Sequence, residues 1–62
     1  MFKLTIETEN ATFGEYKHEE VARILHEAAR RVAHGEHYVP LLDANGNRVG
    51  VAEFTEIWDV QI

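Results

Sequence analysis

The chain has 62 residues, of which 45% are hydrophobic and 27% are charged, and this composition predicts one small globular domain rather than a disordered chain. It contains no cysteine, which excludes disulfides, and no apolar run approaches the roughly 20 residues of a membrane span. The formal net charge of −5 disfavours direct binding to DNA or RNA, because phosphate contacts need clustered Lys and Arg. The opening MFKLTIETEN lacks the pattern of a signal peptide.

The first predicted elements are a strand and a loop. Phe2, Leu4 and Ile6 alternate with polar residues, and this period of two predicts a strand with one buried face. Residues 9–15, ENATFGE, interrupt the alternation and predict a loop that is anchored by Phe13.

Residues 17–34 carry the clearest pattern in the chain. Apolar residues recur there at the spacing of one face of an α-helix. They are Val21, Ile24, Leu25, Ala28 and Val32. Acidic residues near the predicted start and basic residues near the predicted end suit the helix dipole. Gly35 follows as the predicted C-terminal cap.

A second strand is predicted around Tyr38, Val39, Leu41 and Leu42. Pro40 places it at a sheet edge, or else marks the start of the strand, since proline cannot donate to a sheet ladder. A third strand is predicted within RVGVAEFTEIWDVQI, with a bend or a fourth strand near its end.

The stretch LLDANGNRVG between these strands has two interpretations. Asp43, Asn45 and Asn47 alternate like the first ligands of an EF-hand calcium loop, but Arg48 and Phe54 stand where that loop needs glycine and a bidentate glutamate. Asn45-Gly46 is the strongest two-residue hairpin signal, because both residues tolerate positive φ. We therefore predict a β-hairpin whose turn backbone is hydrogen-bonded by Asp43 and Asn47.

The order strand, helix, strand, strand predicts a single α+β domain over residues 1–62. In this β-α-β-β arrangement, one helix packs on a short antiparallel sheet that contains the Asn-Gly hairpin. Apolar residues occur at both parities of the C-terminal segment, so one helix cannot cover them all. A dimer or a bound partner would cover the remainder. The alternative is a bend near residues 53–56 that swings Trp58 onto the same core.

Metal binding and catalysis are both disfavoured. The four histidines, at positions 18, 26, 34 and 37, lack the three or four convergent ligands of a zinc site. The chain has no serine or cysteine nucleophile and no glycine-rich phosphate loop. A chain of this length has little room for a pocket of about 300 Å³. We expect no cofactor and no enzymatic activity.

Three stretches, FKLTIETENATF, EEVARILHEAARRVAHGE and LLDANGNRVG, together resemble a group of small proteins encoded by tailed bacteriophages and prophages. In that group a KLTIET-type strand precedes an EVARIL-type helix, a GE step and an L-x-D-x-NGN-x-VG hairpin. The resemblance covers residues 2–51, and the chain departs from it after Val51, where EFTEIWDVQI is longer than the short end of the group. It brings no catalytic or binding residues to carry over, and it implies a phage accessory gene acting in the bacterial host cytoplasm.

These features favour a protein that works by binding. The first hypothesis is an anti-CRISPR-like inhibitor whose acidic surface competes for the basic groove of a host defence or nucleic-acid-handling complex. Its candidate partner-binding residues are Glu7, Glu9, Glu36, Asp43, Glu53, Glu56, Trp58 and Asp59.

Two alternatives remain open. A small dimeric regulator could bind nucleic acid through Arg23, Arg30 and Arg31 on the helix, although Glu20–Arg23 and Glu27–Arg31 pairs would make the same strip an ordinary solvated face. A virion or assembly accessory protein could instead dock into a larger complex through the apolar C-terminal segment.

Overall fold

The computed structural model describes residues 1–55, which form one helix packed on a three-stranded antiparallel sheet. The elements are strand β1 (Phe2–Ile6), a short 3₁₀ helix (Ala11–Phe13), helix α1 (Lys17–Ala33), and strands β2 (Tyr38–Leu42) and β3 (Arg48–Phe54). The predicted α+β class and the order of the elements are confirmed. The predicted C-terminal bend or fourth strand, with Glu56, Trp58 and Asp59, lies outside the described residues.

The strand order across the sheet is β1-β3-β2, so the third strand in the sequence is central and both neighbours run antiparallel to it. The hairpin brings β2 beside β3, and β1 then adds to the other side of β3. In this register Leu4 and Val39 both flank Ala52, which places the three side chains on the face under the helix.

A bulge interrupts the pairing of β2 with β3. Leu41 pairs with Gly50 but Leu42 pairs with Arg48, which leaves Val49 as an extra residue in β3. Val49 is therefore buried in the core beside Ala52, although the two residues differ in parity. The bulge accounts for part of the mixed parity that suggested apolar residues on both faces of this segment.

The Asn-Gly hairpin is confirmed, but its turn differs from the predicted one. Within the turn only Gly46 has a positive φ, of 85°, although the residue type of Asn45 also tolerates one. The Gly46 amide donates to the Asp43 carbonyl (3.0 Å), and the Asp43 amide donates to the Asn47 carbonyl (2.9 Å). This is a wider loop with glycine in the left-handed conformation, the second most common way to join two strands.

Gly35 caps the C-terminus of α1, as predicted. Gly35 has a φ of 98°, its amide donates to the Val32 carbonyl (2.9 Å), and the Glu36 amide donates to the Arg31 carbonyl (3.3 Å). These two bonds form a Schellman motif, which turns the chain directly into β2.

The core lies between α1 and the sheet and includes the loop anchor Phe13, as predicted. Its buried members are Phe13, Ile24, Ala28, Val39, Leu41, Val49 and Ala52. Leu25 was expected on the buried helix face but is 43% exposed, because it lies at the margin of the apolar stripe. Over residues 1–55, no helix combines the length and the apolar character needed to cross a membrane.

Candidate partner-binding surfaces

Asp43, one of the carboxylates predicted to bind a partner, has a structural role in the fold. Its side chain is only 4% exposed. One carboxylate oxygen accepts the backbone amides of Asn45 and Asn47, both at 2.9 Å. The other accepts Asn10 Nδ2 (2.9 Å), Thr12 Oγ1 (3.2 Å) and Asn47 Nδ2 (3.2 Å). Asp43 therefore ties the loop after β1 to the hairpin turn.

These donors also determine the ionisation of Asp43. Burial by itself raises the pKa of the carboxyl, but the hydrogen bonds from Asn47, Asn10 and Asn45 outweigh it and lower the pKa to about 2. Both oxygens face N–H and O–H donors, so the carboxylate is occupied by the fold. Among the described residues, no group of three or more His, Cys, Asp or Glu side chains could hold a metal ion.

Glu20 is the second carboxylate that the fold uses, and no pattern in the sequence indicated its tertiary role. It is 9% exposed, pairs with Arg23 (2.8 Å) and accepts the Ala44 backbone amide (2.8 Å). The hydrogen bond from Arg23, above all, lowers the pKa of Glu20. Arg23 also donates to the Leu42 carbonyl (3.1 Å), so the pair joins the first turn of α1 to the hairpin.

The arginine strip on α1 is matched by carboxylates along its length. Besides the predicted Glu20–Arg23 pair, Arg30 pairs with Glu27 (2.7 Å). The helical spacing predicted that Arg31 would pair with Glu27, but Arg31 pairs with Glu36 instead (2.8 Å). The predicted partner-binding residue Glu36 is thus half-buried and engaged within the fold.

The remaining carboxylates are not used in this way. Glu7, Glu9, Glu15 and Glu19 are exposed, and their side chains have no ionic or hydrogen-bonding partner among residues 1–55. We call these four residues the acidic end. Glu7 follows β1 and donates its amide to the Val49 carbonyl beside the hairpin, while Glu15 and Glu19 flank the start of α1.

Two of these four residues, Glu7 and Glu9, were predicted as partner-binding, whereas Glu15 and Glu19 were missed. The loop that carries Glu7, Glu9 and Glu15 is tied to the hairpin by Asp43, and the first turn of α1, which carries Glu19, is tied to it by Glu20, so the signal was tertiary rather than local. Glu53 lies apart from them, half-buried on the sheet face away from the helix, between Lys3 and Tyr38 in register. Glu56, Trp58 and Asp59 lie outside the described residues.

An apolar groove of about 250 Å³ separates α1 from β1. It is lined by Phe2, Leu4, Leu25, Ala28, Ala29 and Val32. Phe2 is 42% exposed and contacts Phe54 edge to face, with 4.9 Å between ring centroids. The groove exists because α1 packs mainly towards β2 and leaves the β1 side of the sheet partly uncovered.

Comparison of the chain with known protein families, curated proteins and solved structures gave no significant match. The likeness to small phage-encoded proteins therefore remains a prediction from the sequence.

Proposed function

We propose that this chain is a non-enzymatic, phage-encoded binding protein that acts in the host cytoplasm. It blocks a bacterial defence or nucleic-acid-handling complex, as an anti-CRISPR-like inhibitor would. The observation that carries the proposal is the division of its carboxylates. Glu20, Glu27, Glu36 and Asp43 have partners within the fold, whereas the acidic end keeps four exposed carboxylates without partners among residues 1–55.

Charge and backbone rigidity both favour this function. The loop and the first turn of α1 that carry the acidic end are fixed to the hairpin by Asp43 and Glu20. Carboxylates carried on a fixed backbone resemble the charge of a phosphate backbone, and only their side chains lose conformational freedom when a basic groove binds them. The target surface is therefore a groove lined by Lys and Arg that otherwise holds DNA or RNA.

The alternative of direct nucleic-acid binding has less support. Arg23, Arg30 and Arg31 would have to exchange their carboxylate partners for phosphates. The net charge of −5 would oppose approach of the phosphate backbone at the same time. Absence of a mobility shift with duplex DNA or RNA at physiological salt is the expected result, and a clear shift would favour this alternative.

The proposal is tested by expressing the chain in bacteria that carry an active nucleic-acid-guided defence and by measuring the plating efficiency of a phage sensitive to that defence. We expect the parent chain to restore plating and to co-purify with the defence complex. The variant Glu7→Lys/Glu9→Lys/Glu15→Lys/Glu19→Lys should lose both effects. Capture by the parent should weaken as salt increases, because the contact is electrostatic.

For a comparison at equal charge, Glu27→Lys/Glu36→Lys, at carboxylates that already have arginine partners, is set beside Glu7→Lys/Glu9→Lys, which changes the same number of charges at the acidic end. Glu27→Lys/Glu36→Lys should retain more plating and capture than Glu7→Lys/Glu9→Lys, provided that circular dichroism shows both variants folded. Equal capture of the same partner by the parent and the acidic-end variant would contradict the proposal.

A further inference from the structure

The two free edges of the sheet differ in their ability to accept another strand. Both β1 and β2 are edge strands, because β3 lies between them. The peptide groups of alternate residues in an antiparallel edge strand point away from the sheet, where they can bind an added strand.

The β2 edge is blocked. The Phe54 amide donates to the His37 carbonyl, so His37, Val39 and Leu41 direct their peptide groups towards β3. Pro40, one of the outward residues, has no amide hydrogen to offer. The carbonyl of Leu42, another outward residue, accepts a hydrogen bond from Arg23 (3.1 Å).

The β1 edge is open. The Thr55 amide donates to the Met1 carbonyl and the Glu7 amide donates to the Val49 carbonyl, both at 2.7 Å. The odd-numbered residues of β1 therefore face β3, and Phe2, Leu4 and Ile6 direct their amides and carbonyls outward. None of these three residues has another hydrogen-bonding partner among residues 1–55.

The apolar groove lies directly beside this edge. Phe2 and Leu4 belong to both features, since their peptide groups form the edge and their side chains line the groove. Within the described part of the chain, no charged side chain lines the groove, although the chain as a whole carries a net charge of −5. A second copy of the chain would meet strong repulsion at the acidic end but not here.

We propose that β1 is the dimerisation strand of this protein. Two copies pair their β1 strands antiparallel about a two-fold axis that passes beside Leu4, so that Phe2 of each copy lies opposite Ile6 of the other. The sheet thereby becomes continuous across both subunits. The exposed groove residues Leu25 and Ala29 of the two helices cover the new junction.

Symmetry and chemistry single out a second copy as the occupant. The outward sequence Phe2-Leu4-Ile6 is apolar throughout and self-complementary under a two-fold axis, which is the commonest symmetry of protein dimers. The pairing consumes the one open edge of the sheet formed by residues 1–55 and leaves the blocked β2 edges outermost, so assembly stops at two subunits. This dimer is independent of the proposed function, because the acidic end remains exposed in each subunit.

The test measures amide hydrogen exchange by NMR on the full chain, together with sedimentation, from micromolar to millimolar concentration. We expect a monomer–dimer equilibrium in which the amide exchange rates of Phe2, Leu4 and Ile6 fall as dimer forms. Where the dimer is about ten times more abundant than the monomer, these rates should be about tenfold lower than in the monomer. The outward Tyr38 and Leu42 amides of the β2 edge serve as the internal control and should exchange equally fast throughout.

Two substitutions separate this surface from a general effect of charge. Leu25→Glu places a charge in the groove and should shift the equilibrium to monomer. Leu42→Glu adds the same charge at a similarly exposed leucine of the β2 edge and should leave the dimer intact; Leu25 is 43% and Leu42 48% exposed. Equal loss of dimer in both variants would overturn the proposal.

Two further results would also overturn the proposal. One is a chain that stays monomeric at every concentration with rapid exchange at Leu4. The other is slow exchange at Leu4 in a monomer, independent of concentration, which would assign the edge to a contact within one chain.

Discussion

Asp43 concentrates more hydrogen bonds on one side chain than any other described residue, and its ionisation should be visible in the stability of the fold. Its pKa is lowered from an ordinary value of 3.8 to about 2 in the folded chain. A folded-state pKa below the unfolded one stabilises the protein above the unfolded value, and this contribution is lost as pH falls towards the folded value. We expect the melting temperature to fall steeply between about pH 4 and pH 2.

The variant Asp43→Asn isolates this contribution. It should be less stable than the parent at neutral pH. The asparagine side chain has one acceptor oxygen, and its NH2 group would face N–H and O–H donors where Asp43 has its second acceptor oxygen. The melting temperature of the variant should also fall less than that of the parent between about pH 4 and pH 2. The loss of stability that begins below about pH 4.5, as Glu20 and Glu27 become protonated, should remain in the variant. Thermal melts of both proteins across this range provide the measurement, and parallel pH profiles would contradict the assignment.

Gly50 is a second residue with a sharply defined role, because the backbone of β1 leaves no room for a side chain at this position. A Cβ atom at this position would lie 1.9 Å from the Thr5 carbonyl oxygen and 3.0 Å from the Ile6 Cα. Gly50→Ala therefore requires the two strands to separate and should lower the free energy of unfolding by about 3 kcal/mol. Urea denaturation measures the loss.

The control for this prediction is Gly35→Ala, since an added Cβ there meets no atom within 4 Å but the backbone φ is 98°. This purely conformational cost should be about 1 kcal/mol. If Gly50→Ala proved no more destabilising than Gly35→Ala, the close approach of the two strands would not constrain the residue at position 50.

At the residue scale the sequence was informative only where interactions are local. The contacts of Asp43 with the turn amides at positions 45 and 47 follow from residue type and spacing, and they were predicted. Its contacts with Asn10 and Thr12 bridge more than 30 residues. Patterns of period two or 3.6 report only on neighbours within one strand or helix, so they could not predict these contacts. For this reason Asp43 was interpreted as a surface carboxylate, and Glu15 and Glu19 were overlooked.

At the scale of elements, Pro40 determines the character of the β2 edge. Replacing it with valine supplies an outward amide and a strong strand former, while the pairing with β3 does not change. The free energy of unfolding should change by less than about 1 kcal/mol, because the lost restraint on the unfolded chain is offset by the better strand residue. We expect Pro40→Val to gain a new association step, visible in sedimentation as species larger than those of the parent.

Pro40→Lys is the matched control for the edge. It restores the same amide but adds a charge, which natural edge strands use to prevent pairing. This variant should sediment like the parent. Association of both variants to the same extent would show that the charge does not protect this edge, and an unchanged Pro40→Val would show that proline is not what blocks it.

The elements themselves were largely predictable, whereas their arrangement was not. The 3.6-residue period placed α1 within one residue of its observed end, and Gly35 marked its cap. The alternation of Phe2, Leu4 and Ile6 placed β1, but it could not say which strand β1 joins. Either partner would bury the same apolar face, so the β1-β3-β2 order is a property of the packed sheet.

For the molecule as a whole, the structure separates the carboxylates that stabilise the fold from those that are free to act outside it. Three arginines neutralise Glu20, Glu27 and Glu36, and five hydrogen bonds satisfy the buried carboxylate of Asp43. The acidic end has no such partners among residues 1–55, so its charge adds repulsion rather than cohesion. Binding and folding should therefore respond to different sets of substitutions.

The variant Glu7→Gln/Glu9→Gln/Glu15→Gln/Glu19→Gln tests this separation. Its free energy of unfolding should stay within about 1 kcal/mol of the parent, because relief of repulsion offsets the favourable position of Glu19 at the start of α1. Glu20→Gln alone should destabilise the chain, since it removes the ion pair with Arg23. Urea midpoints at low and physiological salt measure both, and any gain from the fourfold variant should shrink as salt screens the repulsion. A fourfold variant that unfolds as readily as Glu20→Gln would mean that the acidic end is part of the framework and not a surface reserved for a partner.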